Sequence, residues 1–282
     1  MKKTFLITGA NSGIGKEVAL QLAKFGHHVI MICRDEIKGQ AALDEIKIAS
    51  TSNSIDLLVA DLSSQAEIQL LAKTVRERYP ALHGLVNNAG VVITTRTLSV
   101  DGIEMTLATN HLGPFLLINL LLDLLKASAP ARIVNVSSAI HKWGVIDLQD
   151  LQFETRLYQF MRVYAQSKLL MNLATFELAR RLEGSSVTVN CLHPGAVNTH
   201  LGSANAKNIA LKILDRFIKY FMLSPEKAAK TPVYLAMSPD VEGVTGQYFH
   251  QCRSVSASPT SYDKELAEQV WKISHKLVGL SE

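Results

Sequence analysis

Cysteine is scarce in this chain, with three in 282 residues, at positions 33, 191 and 252. So few, odd in number and far apart, they build no disulfide framework and no CxxC metal knuckle, which points to a reducing compartment. Nine histidines are present, but no HExxH or His/Cys cluster, so a catalytic metal has no support. Charged residues make up only 19%, and 29 basic against 25 acidic side chains leave a net charge of +4. The longest basic runs are the pairs Lys2-Lys3 and Arg180-Arg181, too little to track a phosphate backbone, and nucleic acid is not expected as a partner. No apolar run reaches the roughly 20 residues that a membrane span requires. The most lipid-like stretch, residues 115–125, is interrupted by Asn119 and Asp123. The opening residues 1–9 start basic, but their apolar part is too short for a signal sequence, and the expectation is a soluble, cytoplasmic protein. Linkers rich in Gly, Ser or Pro are missing, as are repeats, while 48% of residues are hydrophobic, so a single large domain is expected.

What is present is an alternation of short apolar runs with segments of helical length. Residues 5–8, 29–33, 57–60, 85–87, 133–136, 187–192 and 246–249 read as strands. The first six are apolar almost throughout, as strands covered on both faces are. Helices are expected over 15–24, 38–49, 64–78, 103–126, 158–182 and 263–278. The repeated βα pattern defines a doubly wound α/β sheet of the Rossmann type.

The first strand runs into Thr8-Gly9-Ala10-Asn11-Ser12-Gly13-Ile14-Gly15 and then an amphipathic helix. Glycines there permit a tight turn and close approach of a ligand, and the helix N-terminus offers free N–H groups to a pyrophosphate. A tight loop that binds nothing is the alternative. The second strand ends at Cys33-Arg34-Asp35. Cys33 stands where an acid would hold a ribose 2′-hydroxyl, and Arg34 suits a 2′-phosphate, which favours NADP(H). Asp35 keeps NAD(H) open if the strand ends later, and Arg34 could instead be a surface residue paired with Asp35 or Glu36.

Tyr164 and Lys168 are four apart in a helical pattern and so share one face. An ammonium near a phenol lowers its pKa, and the pair is a plausible proton shuttle, although such pairs also arise as surface neighbours. Ser137-Ser138 close the strand 133–136 at the edge where ligands bind. A hydroxyl there could hold a substrate oxygen near the phenol. Asn87-Asn88-Ala89-Gly90 ends another strand at the same edge, and Asn110 lies early in the long helix that follows, a candidate for binding water in a proton relay.

Taken together, TGxxxGIG, NNAG, a helical Asn, a Ser-Ser strand end, YxxxK and a Pro-Gly turn, in this order over nearly the whole chain, resemble a classical short-chain dehydrogenase/reductase. The resemblance implies Tyr164 as general acid, Lys168 as its partner and a ligand of the nicotinamide ribose, Ser138 (with Ser137 as fallback) polarising a carbonyl, and Asn110 relaying protons. It implies a cofactor site of Gly9, Asn11, Ser12, Gly13, Ile14, Gly15, Arg34, Asp61, Leu62, Asn87, Ala89, Gly90, Tyr164, Lys168, Pro194, Gly195, Val197 and Thr199. Of these, Asp61 would receive the adenine and Thr199 the carboxamide, while His193 reads as a packed strand-end residue.

Residues 32–35, 128–138 and 246–280 look most like the retinol dehydrogenase and WW-domain oxidoreductase branch. That implies an oxidoreductase acting on lipophilic aldehydes, ketones, retinoids or steroid-like substrates. An NAD-dependent alcohol or steroid dehydrogenase, and a non-catalytic dinucleotide-sensing regulator, remain as alternatives. By the same analogy a substrate lid is expected around 200–224. Within it Ile209, Ile213, Phe217 and Phe221 recur at helical spacing, which a core helix or a membrane-resting helix would also show. The region 250–282 would be a C-terminal extension. The long helices at 103–126 and around Tyr164 could serve a homodimer or homotetramer, or simply be buried within the chain.

Overall fold

The computed structural model describes residues 2–195 and 224–280. Val197, Thr199 and nearly all of the expected lid lie outside them. The elements in order are β1 (Thr4–Thr8), α1 (Gly13–Lys24), β2 (His28–Cys33), α2 (Glu36–Ser50), β3 (Ile55–Val59), α3 (Gln65–Arg78), β4 (Gly84–Asn87), α4 (Met105–Leu107), α5 (Gly113–Ala127), β5 (Ala131–Val136), α6 (Phe160–Arg181), β6 (Val187–Leu192), α7 (Pro225–Met237), β7 (Tyr248–His250), β8 (Arg253–Ser254) and α8 (Lys264–Leu277). The strands form one sheet in the order β3-β2-β1-β4-β5-β6-β7-β8. All neighbours are parallel except β7 and β8.

Alternation along each strand sends side chains to two separate cores. Leu6, Ile30, Ile32, Leu85 and Ile133 pack under α3, α5, α6 and α8. Phe5, Ile7, Val29, Met31, Val86 and Val134 pack under α1, α2 and α7. Both faces are covered, which is why the strands read as unbroken apolar runs. The chain leaves β1 for β2 on one side and later sets β4 on the other, opening a crevice at the strand C-termini between them.

Three features depart from the sequence reading. The long helix is interrupted by a π-helical turn, Ala108–Leu112, and that turn carries Asn110. Helix α7 was not expected, because Pro232 within it breaks the helical pattern. Strand β8 is two exposed residues, set antiparallel by a turn with Gln251 and Cys252 at φ 49° and 60°, positions where glycine is the usual signal.

The stretch Met105–Ala127 is long and apolar enough to cross a membrane, but most of it is buried inside the molecule. Helix α8 accounts for part of that burial. Phe115 of α5 meets Trp271 edge-on with ring centroids 4.7 Å apart, and the Arg181 guanidinium of α6 lies 4.7 Å from the Trp271 ring. Helix α8 thus covers part of the apolar faces of α5 and α6 from within the chain. Trp271→Ala is expected to cost about 3–5 kcal/mol of unfolding free energy, the range for deleting a buried large aromatic, as read by urea denaturation. A loss below about 1 kcal/mol would mean that α8 is only loosely docked.

Candidate active site

The glycine turn is built for close approach. Gly9 and Gly13 have φ of 66° and 56°, in the left-handed region. A Cβ on Gly15 would stand 2.3 Å from the Gly9 carbonyl oxygen and 2.4 Å from Asn88 Nδ2, so no side chain fits. Helices α2, α3, α7 and α8 each begin with a side chain accepting from a first-turn N–H. Helix α1 does not: Ser12 stands at its N-cap with its hydroxyl unengaged, leaving N–H groups and the helix dipole open to an anion. A dinucleotide pyrophosphate fits this turn, with Asn11, Ser12, Gly13, Ile14 and Gly15 around it; the Ile14 side chain itself is buried in the core.

The other wall is fastened to this one by a residue that the sequence reading missed. The Thr8 hydroxyl accepts from the backbone N–H of Asn88 and of Ala89, both at 3.0 Å, and Asn88 Nδ2 donates back to the Thr8 carbonyl at 3.0 Å. Asn87 differs from expectation. It is fully buried, and its Nδ2 donates to Asn135 Oδ1, whose own amide donates to Thr175 on α6. Strand parity turns that side chain into the core, not toward the crevice. Leu62 is likewise a core side chain, and its carbonyl closes against Gly113 where the π-turn ends.

At the end of β2, Arg34 is 68% exposed and its Nη1 lies 3.5 Å from Asp61 Oδ2. Its partner is thus neither Asp35 nor Glu36. The Asp35 carboxylate caps α2 by accepting from Lys38 N and pairs with Lys38 Nζ, interactions that hold it below the usual carboxylate range. Asp61 also accepts from Ser63 N and Ser63 Oγ.

Asn110, Ser138, Tyr164 and Lys168 converge at the same edge. Asn110 is buried in the π-turn; its Oδ1 accepts from Val91 N at 2.8 Å, while Nδ2 donates to Val91 O and Ser167 Oγ. A Cβ on Gly90 would come 3.3 Å from Asn110 Oδ1, a tight contact, and 3.5 Å from Lys168 Nζ, an ordinary one. Of the two serines, Ser137 is buried with its hydroxyl donating to the Lys168 carbonyl. Ser138 is half-buried, its hydroxyl accepts from the Ile140 N–H at 3.3 Å, and it stands near enough to the Tyr164 phenol to influence its titration.

The electrostatics differ from the simple shuttle. Lys168 Nζ is buried, donates to the Val136 carbonyl at 2.9 Å and lies 5.7 Å from the Tyr164 ring centre. Burial lowers its pKa to about 8. The Tyr164 pKa is raised, chiefly by burial, with the nearby Ser138 hydroxyl pulling the other way. In the protein alone the phenol is therefore an acid that keeps its proton at neutral pH.

The segment between Ser138 and Tyr164 is organised by Asp150. Its carboxylate accepts from the backbone N–H groups of Glu154, Thr155 and Arg156, the Thr155 hydroxyl and Arg156 Nε. Arg156 in turn reaches Gln166 on α6 at 3.0 Å. Pro194 and Gly195 follow β6 at the crevice edge, Gly195 with φ 90°. His193 stacks on His250 with centroids 3.9 Å apart, and burial is the first cause of its pKa falling to about 4.

A family model described as short chain dehydrogenase matches residues 3–210. The chain belongs to the short-chain dehydrogenase family, whose members use nicotinamide dinucleotides, and it is an oxidoreductase that transfers hydride at CH–OH carbons. More particularly, it is similar to retinol dehydrogenase 13 of Homo sapiens, 42% identical over 99% of this chain and 85% of that one. Retinol dehydrogenase 14 of Mus musculus is also 42% identical, over 99% of this chain and 86% of the relative. Among solved structures, an uncharacterized protein from Mycobacterium paratuberculosis superimposes with a TM-score of 0.79 at 31% identity, covering 99% of this chain and 94% of that one.

The Lys168 burial makes a pH prediction. Its folded pKa, about 8, lies below the ordinary lysine value of about 10.4, so between those values the unfolded chain holds a proton that the folded one has released. This contribution to stability is fully present above the upper value and lost as pH falls through the lower. Relative to Lys168→Met, the wild type should gain unfolding free energy from pH 7.5 to pH 10 in urea titrations, at about 1.4 kcal/mol per pH unit at most. A flat difference would place the ammonium in water.

Proposed function

We propose that the chain is an NADP(H)-preferring reductase of lipophilic carbonyls, aldehydes, ketones, retinoids or steroid-like substrates, with the corresponding alcohols as products. The observation that carries it is Tyr164 beside Ser138 and a buried Lys168, whose Nζ lies 5.7 Å from the phenol ring, at the sheet edge next to an uncapped α1. When bound, the dinucleotide supplies the hydride. Tyr164, kept protonated by burial, donates its proton to the substrate oxygen. Ser138 donates a hydrogen bond to that oxygen and holds it near the phenol. Asn110 fixes the opposite wall through both backbone groups of Val91, next to Gly90.

The preference for NADP(H) is supported by β2 ending at Cys33, by the engagement of the Asp35 carboxylate at the α2 cap and by the exposed Arg34 guanidinium beside it. The lipophilic substrate class is supported by the names of the retinol dehydrogenase relatives. Exposed Trp143, Leu157, Phe160 and Met161 on the segments after Ser138 and before Tyr164 add to that support.

The test is NADPH and NADH oxidation against carbonyls from small aldehydes to retinal and steroid ketones, with Tyr164→Phe as control. Expected are a kcat/KM favouring NADPH by at least about tenfold, and a variant kcat down by about 10²–10⁴ with dinucleotide Kd retained. Wild-type turnover in the variant would overturn the mechanism, and tight dinucleotide binding without turnover on any carbonyl would make the chain a sensor.

A further inference from the structure

A buried imidazole that the catalytic reading does not use stands directly behind Ser138. Ser138 caps the short 3₁₀ turn Ala139–Trp143, and its carbonyl accepts twice from one residue, His141: from the backbone N–H at 3.1 Å and from ring Nδ1 at 2.7 Å. The other ring nitrogen, Nε2, lies 3.0 Å from the backbone N of Ser258 in the C-terminal region. A peptide N–H can only donate, so Nε2 carries the lone pair and the ring proton sits on Nδ1, pointed at the Ser138 carbonyl. His141 is fully buried against Tyr248, ring centroids 4.9 Å apart, and the Tyr248 hydroxyl lies 3.3 Å from Nδ1, farther than the Ser138 carbonyl at 2.7 Å.

The tail that sets this tautomer is itself anchored on α6. Ala257 N donates to the Tyr262 hydroxyl at 2.9 Å, and the Tyr262 ring stacks on Phe176 of α6 with centroids 5.0 Å apart and planes 3° off parallel. Ser258 Oγ and Ser261 Oγ close the turn at 2.8 Å. Helix α6 carries Tyr164 near one end and Phe176 farther along. The distance between the Ser138 hydroxyl and the Tyr164 phenol is therefore fixed from α6 twice: directly through the helix, and by the path Phe176, Tyr262, Ser258, His141, Ser138.

We propose that His141 is a positioning residue for the reaction: the C-terminal tail, through the Ser258 N–H, fixes the imidazole, and its Nδ1–H holds the Ser138 peptide so that the hydroxyl faces the phenol. This rests on the reading of Ser138 as the group that binds the substrate oxygen. The tail is thereby part of the active site without touching substrate.

Three variants separate this role from simple packing, read as kcat and dinucleotide Kd per folded molecule. In H141N the amide nitrogen takes the place of Nδ1 and donates to the Ser138 carbonyl without needing the tail. H141F removes the ring's contacts with the Ser138 carbonyl, the Ser258 N–H and the Tyr248 hydroxyl. S258P removes the tail N–H, together with the Ser258–Ser261 hydroxyl contact, at a backbone φ of −66° that proline shares. H141F and S258P are expected to lower kcat by about tenfold or more with dinucleotide Kd unchanged, and H141N to recover to within about threefold of wild type. S258P placed on H141N should have no further effect on kcat. Wild-type kcat in H141F, or H141N as impaired as H141F, would overturn the proposal. S138A serves as the separate control: full turnover there would overturn the catalytic reading of Ser138 itself, whereas an inactive S138A beside a fully active H141F would overturn only the role of His141.

Discussion

The site depends on one hydroxyl. Thr8 closes the first strand, and its oxygen uses all of its hydrogen-bonding capacity at the point where the sheet changes direction, accepting from Asn88 and Ala89 and donating at long range to the Val86 carbonyl. Two backbone N–H groups in a half-buried crevice would otherwise lack a partner, at a cost of about 1–3 kcal/mol each. Because the clasp holds the β4 exit against the glycine turn, Gly15 can pack on Gly9 and Asn88 with no room for a Cβ. The same β4 exit brings Gly90 to Asn110 and Lys168. The anion-binding turn and the proton-transfer group thus share one fastening.

Burial then sets the chemistry of what the clasp assembles. A lysine withdrawn from water and satisfied by one carbonyl loses affinity for its proton, whereas a phenol withdrawn from water holds its proton more tightly. The two shifts bring the pKa values of Tyr164 and Lys168 into an order that sequence spacing alone does not suggest. Asn110 contributes by geometry. Its π-turn widens the helix by one residue and turns the amide onto the Val91 backbone, and the next residue, His111, reaches Ser274 of α8 at 2.8 Å. The C-terminal region thus touches the site at two turns, at His111 and at His141.

Much of this was legible in the sequence, for identifiable reasons. Strands β1 to β6 announced themselves because both faces are covered, and TGxxxGIG and YxxxK because their spacings are local. What escaped was whatever depends on parity or on distant partners. Asn87 and Asn88 are the same residue type side by side, yet the pleat turns one into the core onto Asn135 and the other onto Thr8. Arg34 meets Asp61, 27 positions away, instead of its acidic neighbours. The direction of the Tyr164 shift required the packing around it, and nothing local marks His141 as the partner of Ser258, 117 positions on. Helix α7 hid behind an internal proline.

The central claim, that the β1–β4 fastening creates the dinucleotide site on which the chemistry depends, is tested most directly by dinucleotide titration of Thr8→Val, followed by protein fluorescence, with Thr8→Ser alongside. Valine keeps the shape of threonine and removes the oxygen, while serine keeps the oxygen. The account expects Thr8→Val to weaken NADPH binding by about tenfold or more, equivalent to about 1.4 kcal/mol, with the sheet still folded, and Thr8→Ser to bind nearly as the wild type does. A folded Thr8→Val protein that binds NADPH with wild-type affinity would contradict it.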